Sequence, residues 1–262
     1  MTPAERLSQK LHETRRERVA LVAFMTAGFP RREHFRDHLA EVAAHADVVE
    51  IGVPFTDPLA DGVTIQRSSL AALAQGVTLH WILDELATMP KPDAELVLMG
   101  YLNPMLSYGY DALAAKAASV GVSGFIVPDL PPEESADFAA ALAKHGLALI
   151  RMVTPVTPQA RLEKICASAQ GFVYAVTMTG TTGGSAGALD TQLTADARDY
   201  LERVKAASPV PVCAGFGIRS AGQVRAFAPY VDGVIVGSAL VEALERGESA
   251  GSLLDRLRGS AA

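Results

Sequence analysis

The sequence predicts an α/β fold in which eight parallel strands alternate with helices and close into a single (β/α)8 barrel. Short apolar runs that favour strands alternate along the chain with longer segments that have helical spacing. Runs such as Gly124–Val127 and Gly233–Val236 contain no alternating polar residues, which is typical of strands covered on both faces in a parallel sheet. No linker rich in Pro, Gly or Ser interrupts the 262 residues, so we expect one domain spanning residues 1–262.

A doubly wound open sheet is the alternative arrangement of the same elements. Such a sheet normally carries a GxGxxG phosphate-binding loop after its first strand, and the turn after Thr26 lacks that pattern. Eight strand-helix units therefore favour the closed barrel.

The eight strands are expected at the apolar runs. In chain order these runs are Val19–Thr26, Asp47–Gly52, Glu95–Gly100, Ser123–Val127, Leu147–Val153, Phe172–Thr177, Val210–Ala214 and Gly233–Val236. Helical spacing fills the segments between them, at Arg32–Ala46, Ile65–Ala74, Leu79–Thr88, Asp111–Val120, Glu133–His145, Pro158–Ala169, Leu193–Ala207 and Ser220–Ala228. Two extra terminal helices, Ala4–Arg16 and Ser252–Arg258, are expected to flank the barrel.

The spacing of the strands indicates where chain has been inserted. The second and third strands start 48 residues apart, from 47 to 95, and the sixth and seventh start 38 residues apart, from 172 to 210. Long loops are therefore expected after strands 2 and 6. In barrels of this kind these connections lie at the carboxyl ends of the strands, where active sites are found, so both loops are candidate lids.

Composition argues against several classes of function. Hydrophobic residues make up 49% of the chain and charged residues 20%, which is enough apolar material for a core. The net charge of −6 and the absence of a long basic block argue against nucleic-acid binding. No apolar run approaches the roughly 18 residues of a membrane span, and the polar start Met1–Arg6 lacks a secretory signal. We therefore expect a cytoplasmic protein that does not bind membranes.

The cysteines and histidines of the chain give little indication of a metal site. Cys166 and Cys213 have no CxxC partner or nearby histidine, so they are expected to be buried thiols, without a disulfide or a zinc site. The histidines are interpreted as surface residues of helices, and they are His12, His34, His38, His45, His80 and His145. No metal site is predicted.

Glu50 is the first candidate catalytic residue. It interrupts an apolar strand, and alternation places it on the face opposite Val49 and Ile51, pointing into the barrel. A buried carboxyl group without a partner is costly, so either Glu50 is an acid/base with a shifted pKa or it is a structural residue paired with an arginine or a tyrosine hydroxyl. The strand alone leaves both interpretations open.

Asp57 and Asp61 follow in the loop after the same strand. Either aspartate could simply form an Asx turn or cap the next helix. Asp61 lies at the end of an inserted loop that starts from the Glu50 strand. Two carboxylates could thus face one cavity, which favours a catalytic role for Asp61.

Glycine-rich turns follow the last three strands, at Gly180–Gly184, Gly215–Ile218 and Gly237–Ser238. Glycine allows backbone N–H groups to approach a ligand, and a short helix beginning near Ser238 would direct its positive end at an anion. Three such turns in adjacent late loops predict a phosphate site. Aromatic residues near strand ends could line an apolar pocket or simply pack in the core, and they are Phe24, Tyr101, Tyr174 and Phe216.

The segment Glu50–Gly62 reads EIGVPFTDPLADG and resembles the signature of the tryptophan synthase α subunit family. Further matching segments occur in collinear order, at Phe24–Gly28, Tyr101–Pro104, Val127–Pro131, Gly215–Ile218 and Gly237–Ala239. The resemblance implies a TIM barrel that splits indole-3-glycerol phosphate into indole and glyceraldehyde 3-phosphate without a metal or organic cofactor. The chain departs from the family pattern at Phe29, where an aspartate is usual, and at Val63, where a proline is usual.

The resemblance also implies a role for each site residue. The catalytic carboxylates would be Glu50 and Asp61, with Tyr174 near the reacting carbons. The indole pocket would comprise Phe24, Ile65, Met99, Tyr101, Thr182 and Phe216, and the phosphate would be held by Gly183, Gly215, Gly217, Gly237 and Ser238.

In this family the α subunit works in an αββα assembly with a pyridoxal phosphate-dependent β subunit that consumes the indole. The resemblance implies that the loop holding Asp57 and a turn at Asn103–Pro104 face that subunit. Two alternatives remain: a free-standing indole-3-glycerol phosphate lyase that supplies indole to a specialised pathway, and a weakly active regulatory barrel that binds phosphorylated ligands.

Overall fold

The computed structural model describes residues 1–177, 193–215 and 217–259 of the chain. The strands are β1 (Ala20–Thr26), β2 (Val48–Gly52), β3 (Glu95–Met99), β4 (Val122–Ile126), β5 (Ala148–Val153), β6 (Val173–Val176), β7 (Val212–Gly215) and β8 (Gly233–Val236). The helices are α1 (Pro3–Arg15), α2 (Phe35–His45), α3 (Val63–Ala74), α4 (Leu79–Thr88), α5 (Leu102–Tyr108), α6 (Tyr110–Ser119), α7 (Ala136–Ala143), α8 (Gln159–Ala167), α9 (Ala195–Ala207), α10 (Ala221–Phe227), α11 (Ser238–Glu245) and α12 (Ala250–Arg258).

The strands form a closed parallel barrel in sequence order, and β8 pairs with β1 to complete the ring. In register, Val22 of β1 lies beside Val48 of β2 on one side and Ile235 of β8 on the other. The predicted (β/α)8 barrel is therefore confirmed, and the doubly wound alternative is wrong because its sheet would have two open edges.

Buried side chains alternate between the inside and the outside of the barrel. Val22, Val48 and Ile235 belong to the cluster that fills the interior, whereas Val49 and Ile51 belong to the larger cluster between the sheet and the helices. Because both faces of each strand are covered, the sequence shows apolar runs where a half-exposed sheet would show alternation.

Helix α1 closes the amino-terminal end of the barrel. Thr2 caps its first turn in a capping box with Glu5. Leu7 and Leu11 are fully buried in the interior cluster. The Ser8 hydroxyl donates to the Gly171 carbonyl oxygen at 2.6 Å, which joins α1 to the segment before β6.

The structure corrects the sequence predictions at α5. The predicted turn at Asn103–Pro104 lies inside this helix, where proline is tolerated because first-turn N–H groups have no intrahelical partner. No local side chain caps α5. The carboxylate of Asp129 accepts from the Leu102 N–H at 3.0 Å, so the cap comes from the loop after β4. A helix capped from 27 residues away has no start signal in its own sequence.

Smaller differences concern helix starts and histidines. The segments predicted as helices from Arg32 and from Glu133 each begin with a short 3-10 turn before α2 and α7. His38 and His45 are half-buried and not simple surface residues. The Nδ1 atom of His45 lies 3.0 Å from a carboxylate oxygen of Asp255, which ties α2 to α12.

Inserted chain is present after β2, where residues 53–62 and the additional helix α3 precede α4 and β3. The corresponding segment after β6, residues 178–192, lies outside the described residues. Both cysteines are free and buried. Of the helices in the described ranges, none combines the length and the apolar character that crossing a bilayer requires.

Replacing Leu11 by alanine should lower the free energy of unfolding by about 2 to 5 kcal/mol, because it opens a cavity between α1 and the barrel interior. Urea denaturation monitored by circular dichroism measures this change. Leu70→Ala on α3 is the matched control, since that side chain is 55% exposed and its loss should cost less than about 0.5 kcal/mol. Equal losses in the two variants would contradict the closing role of α1.

Candidate active site

A cavity of about 50 Å³ lies at the carboxyl ends of the strands, where barrel enzymes hold their catalytic residues. The described residues that line it are Phe24, Glu50, Asp61, Ile65, Met99, Tyr174, Gly217, Ile235, Gly237 and Ser238. All of these except Ile235 are site residues predicted from the sequence. Its inward position could have been read from the alternation of β8, two residues before Gly237.

Glu50 projects from β2 into the barrel interior and is fully buried. Within the described chain neither of its carboxyl oxygens has a hydrogen-bond partner, so the alternative of a structural residue paired with an arginine or a tyrosine hydroxyl finds no partner there. Burial raises the pKa of Glu50 to about 8, because the charged form loses its hydration without compensation. At neutral pH the group is therefore mainly protonated and can donate a proton.

Asp61 is positioned by Tyr101. The Tyr101 hydroxyl donates to Oδ2 of Asp61 at 3.1 Å and accepts from the Ala60 N–H at 3.0 Å. The ring of Phe55 stacks on Tyr101, with centroids 5.1 Å apart. This single buried hydroxyl therefore holds both the backbone and the carboxylate at the end of the loop.

The protonation of Asp61 differs from that of Glu50. Burial raises the pKa of Asp61 to about 6, and the hydrogen bond from Tyr101 opposes this rise. Asp61 is thus mainly ionised at neutral pH, where Glu50 keeps its proton. Two carboxyl groups of one cavity are held in opposite states by their surroundings, which is a recurrent arrangement in acid/base active sites.

Tyr174 projects from β6 into the same cavity, and its hydroxyl lies beside Gly215 of β7. Its pKa is raised by burial first, then by the neighbouring charges of Glu50 and Asp61, so it remains a neutral phenol. A Cβ atom at Gly215 would lie 2.6 Å from the Tyr174 hydroxyl oxygen. Gly215 therefore has a packing reason to be glycine, apart from the phosphate role that the family resemblance implies.

A second glycine makes room for an aromatic ring, and the sequence analysis missed it. A Cβ atom at Gly52 would lie 2.5 Å from the Phe24 ring. Phe24 packs with Phe29, Ile65 and Val241 in a small apolar cluster beside the cavity. Phe29, one of the two departures from the family pattern, is thus a member of this apolar wall.

The predicted anion site lies at the start of α11. Gly237 precedes the helix, Ser238 begins it, and the first turn contains no acidic residue. Free N–H groups at such a helix start favour a bound anion. Gly217 has φ +83°, a conformation that glycine adopts without strain. An Arg219–Glu242 ion pair, with oxygen-nitrogen distances of 2.7 and 2.9 Å, anchors the same helix to the loop after β7.

Three predicted site residues lie outside the described residues, namely Thr182, Gly183 and Phe216. A search of the described part of the chain finds no group of three His, Cys, Asp or Glu side chains able to hold a metal ion.

The chain is similar to known proteins along most of its length. A family model described as the tryptophan synthase alpha chain matches residues 11–260. The tryptophan synthase alpha chain of Solidesulfovibrio magneticus is 46% identical over 244 residues, which cover 92% of this chain and 93% of the relative. That of Nitratidesulfovibrio vulgaris strain DP4 is 44% identical over 254 residues, covering 96% and 97%.

Solved structures agree with the sequence comparison. Tryptophan synthase subunit alpha from Legionella pneumophila superimposes with a TM-score of 0.85 at 32% identity, covering 99% of this chain and 98% of that one. A chain of Mycobacterium tuberculosis tryptophan synthase gives a TM-score of 0.87 at 34% identity, covering 99% and 98%. On both sequence and structure, the chain belongs to the tryptophan synthase alpha chain family.

Proposed function

We propose that the chain cleaves indole-3-glycerol phosphate into indole and glyceraldehyde 3-phosphate, as the α subunit of tryptophan synthase in tryptophan biosynthesis. Family membership supports this activity. The observation that carries the proposal is the pairing in one cavity of a protonated Glu50 with an ionised Asp61. A cytoplasmic location stays a prediction.

Glu50 can perform both proton transfers of the retro-aldol cleavage. The protonated carboxyl first gives its proton to C3 of the indole ring, which converts the ring to its cationic indolenine form. The carboxylate that remains then takes the proton of the side-chain hydroxyl while the bond from C3 to the carbinol carbon breaks. The electron pair of that bond returns to the ring, indole and an aldehyde are formed, and Glu50 is protonated again.

Asp61 would stabilise the intermediate electrostatically. Its ionised carboxylate can accept a hydrogen bond from the indole N–H, and this bond strengthens as positive charge develops on the ring. The Tyr101 hydroxyl occupies Oδ2 of Asp61, which leaves lone pairs of Oδ1 for the substrate. Because the site is buried, the interaction between carboxylate and ring is weakly screened.

Substrate positioning would come from the two ends of the cavity. The phosphate is expected at the start of α11, near Gly217, Gly237 and Ser238, and the indole ring against Phe24 and Ile65. The reaction as written uses no metal or organic cofactor. A cavity of about 50 Å³ is far smaller than the roughly 300 Å³ or more that small-molecule pockets occupy. We therefore expect the Asp61 loop, residues 53–62, to move when substrate enters.

Three exposed apolar side chains on the end of the barrel that carries the cavity support a partner subunit. Leu59 in the loop after β2, Leu106 on α5 and Val156 after β5 are 85%, 57% and 73% exposed. All three follow strand ends on the face that carries the cavity. We propose that the β subunit of an αββα assembly covers Leu59 and Leu106 there, consistent with the contact segments that the resemblance implies.

Two other functions would use the same barrel. A free-standing lyase would need both carboxyl groups but no partner, so the partner experiment below separates it from the α subunit. A regulatory barrel without catalysis would have no use for a partnerless buried carboxyl group, whose burial is costly. The Glu50 environment therefore favours an enzyme.

The rate of indole formation should depend on pH as a bell. It should rise as Asp61 ionises near pH 6 and fall as Glu50 loses its proton near pH 8.

Glu50→Gln should lower kcat/KM for indole-3-glycerol phosphate by about 10² to 10⁴, because an amide cannot transfer the protons. Glu202→Gln, at an exposed site on α9, is the matched control and should keep the wild-type rate. Near-normal turnover of Glu50→Gln would assign the proton transfers to another group.

Tyr101→Phe should move only the acidic limb of that bell. Removing the hydroxyl takes away a donor to the Asp61 carboxylate, so the pKa of Asp61 should rise further, by about one unit. The basic limb, set by Glu50, should not change. Tyr230→Phe, before β8 at the opposite end of the barrel, serves as control. A uniform loss of rate with both limbs in place would mean that Tyr101 contributes packing alone.

Mixing the chain with the β subunit of its own organism should give a complex by light scattering and faster indole formation. Leu106→Lys should weaken that complex, because it places a charge in a covered apolar contact, while the isolated chain keeps its rate. Leu70→Lys on α3 is the control at a comparably exposed leucine. No complex and no stimulation would leave the free-standing lyase as the function.

A further inference from the structure

A second cleft lies at the opposite end of the barrel from the candidate active site. It has a volume of about 510 Å³ and is formed by the residues that precede β1, β2 and β3, together with α2 and the end of α4. Its walls are largely apolar and include Ala40, Ala44, Leu86 and Leu96. A volume of this size is within the range of pockets that hold small organic molecules.

The cleft carries an excess of positive charge. Lys10, Arg18, Lys91 and Arg258 line it, against the two carboxylates of Asp47 and Asp93. The chain as a whole has a net charge of −6, so this local excess runs against the overall balance. A concave surface lined by one sign of charge concentrates ligands of the other sign.

The buried carboxylate of the cleft, that of Asp47, already accepts three hydrogen bonds. Arg18 binds Asp47 with both terminal nitrogens, at 2.7 and 2.8 Å, and the Leu21 N–H donates to the same carboxylate at 2.8 Å. Arg258 lies 3.6 Å from the Asp47 oxygen that already accepts two of these bonds. The negative charge of Asp47 is therefore compensated mainly by Arg18, and Asp47 provides only a weak counter-charge for Arg258.

Arg258 is consequently a half-buried cation without a full counter-charge. Its Nε atom is buried and has no hydrogen-bond acceptor among the described residues. Burial, and then the neighbouring charge of Arg18, lower the pKa of Arg258, and the carboxylates of Asp47 and Asp255 oppose this fall only in part. Lys10 and Lys91 add two more positive charges, and neither takes part in the ion pairs found among the described residues.

We propose that this cleft binds a small organic anion, an aromatic or branched carboxylate or sulfonate, with its acidic group on Arg258 and Lys91 and its apolar body against Ala40 and Ala44. A neutral apolar molecule would leave Arg258 uncompensated. An inorganic anion would leave the apolar wall uncovered. The chemistry of the cleft therefore calls for both properties in one ligand.

The probe for this site is 8-anilinonaphthalene-1-sulfonate, an aromatic sulfonate whose fluorescence rises in apolar surroundings. Titration of the full chain should show one site, weakened by added salt. Ala44→Phe fills the cleft from an exposed position and should raise the Kd at least about tenfold. Lys91→Gln should raise it about threefold, as expected for an exposed charge.

The controls are Ala112→Phe and Lys144→Gln, at exposed positions outside the cleft, and both should keep the wild-type Kd. Benzenesulfonate should displace the dye, whereas toluene or sulfate at the same concentration should not. Indole formation should be unchanged in Ala44→Phe and Lys91→Gln. Absence of dye binding, a Kd unaffected by Ala44→Phe and Lys91→Gln, or equal displacement by sulfate would each overturn the proposal.

Discussion

The burial of one carboxyl group, that of Glu50, is the constraint on which the rest of the site depends. Its pKa rises from an ordinary value of 4.5 to about 8, so holding the proton at pH 7 costs the folded state on the order of 3 kcal/mol. This cost begins as pH rises above 4.5, where the unfolded chain would ionise, and it grows up to about pH 8. The packing of the closed eight-stranded barrel and its apolar interior must offset this cost.

Carboxylates at the two ends of the barrel differ in whether a nearby cation compensates their charge. At the amino-terminal end, Asp47 and Asp232 precede β2 and β8, and each accepts from a strand N–H, of Leu21 and Val212 respectively. Each also pairs with a cation, Arg18 or Lys205, so its charge is compensated. At the carboxyl end, Glu50 and Asp61 have no such cation among the residues that the structure describes. Compensated charge supports the fold at one end, and uncompensated charge is available for chemistry at the other.

What could be predicted from the sequence was local. Strand alternation is a short-range rule, so the inward direction of Glu50 followed from its two neighbours. Eight repeated strand-helix units indicated the barrel because closure needs only their number and their parallel order. The cavity residue Met99 came only from the family resemblance, whereas Tyr174 was also indicated by its place near a strand end.

What could not be predicted was non-local. The Tyr101–Asp61 hydrogen bond joins residues 40 positions apart, and the Asp129 cap of α5 acts across 27 positions. Gly52 and Gly215 are small because rings from other strands, Phe24 and Tyr174, occupy the space beside them. None of these contacts produces a local sequence pattern around the residues that make it, so they can be recognised only in the folded chain.

Helix α5 joins two surfaces that are usually considered separately. Tyr101, which holds Asp61, immediately precedes the helix, and the exposed Leu106 lies five residues later, about 7.5 Å along the axis. A molecule that contacts Leu106 and moves α5 as a rigid unit would also move Tyr101 at its first turn. Thermodynamic reciprocity then requires the converse: whatever displaces Asp61 from Tyr101 alters the affinity of the outer surface by the same factor. A contact on the outer face of α5 and the position of Asp61 are then linked through one helix.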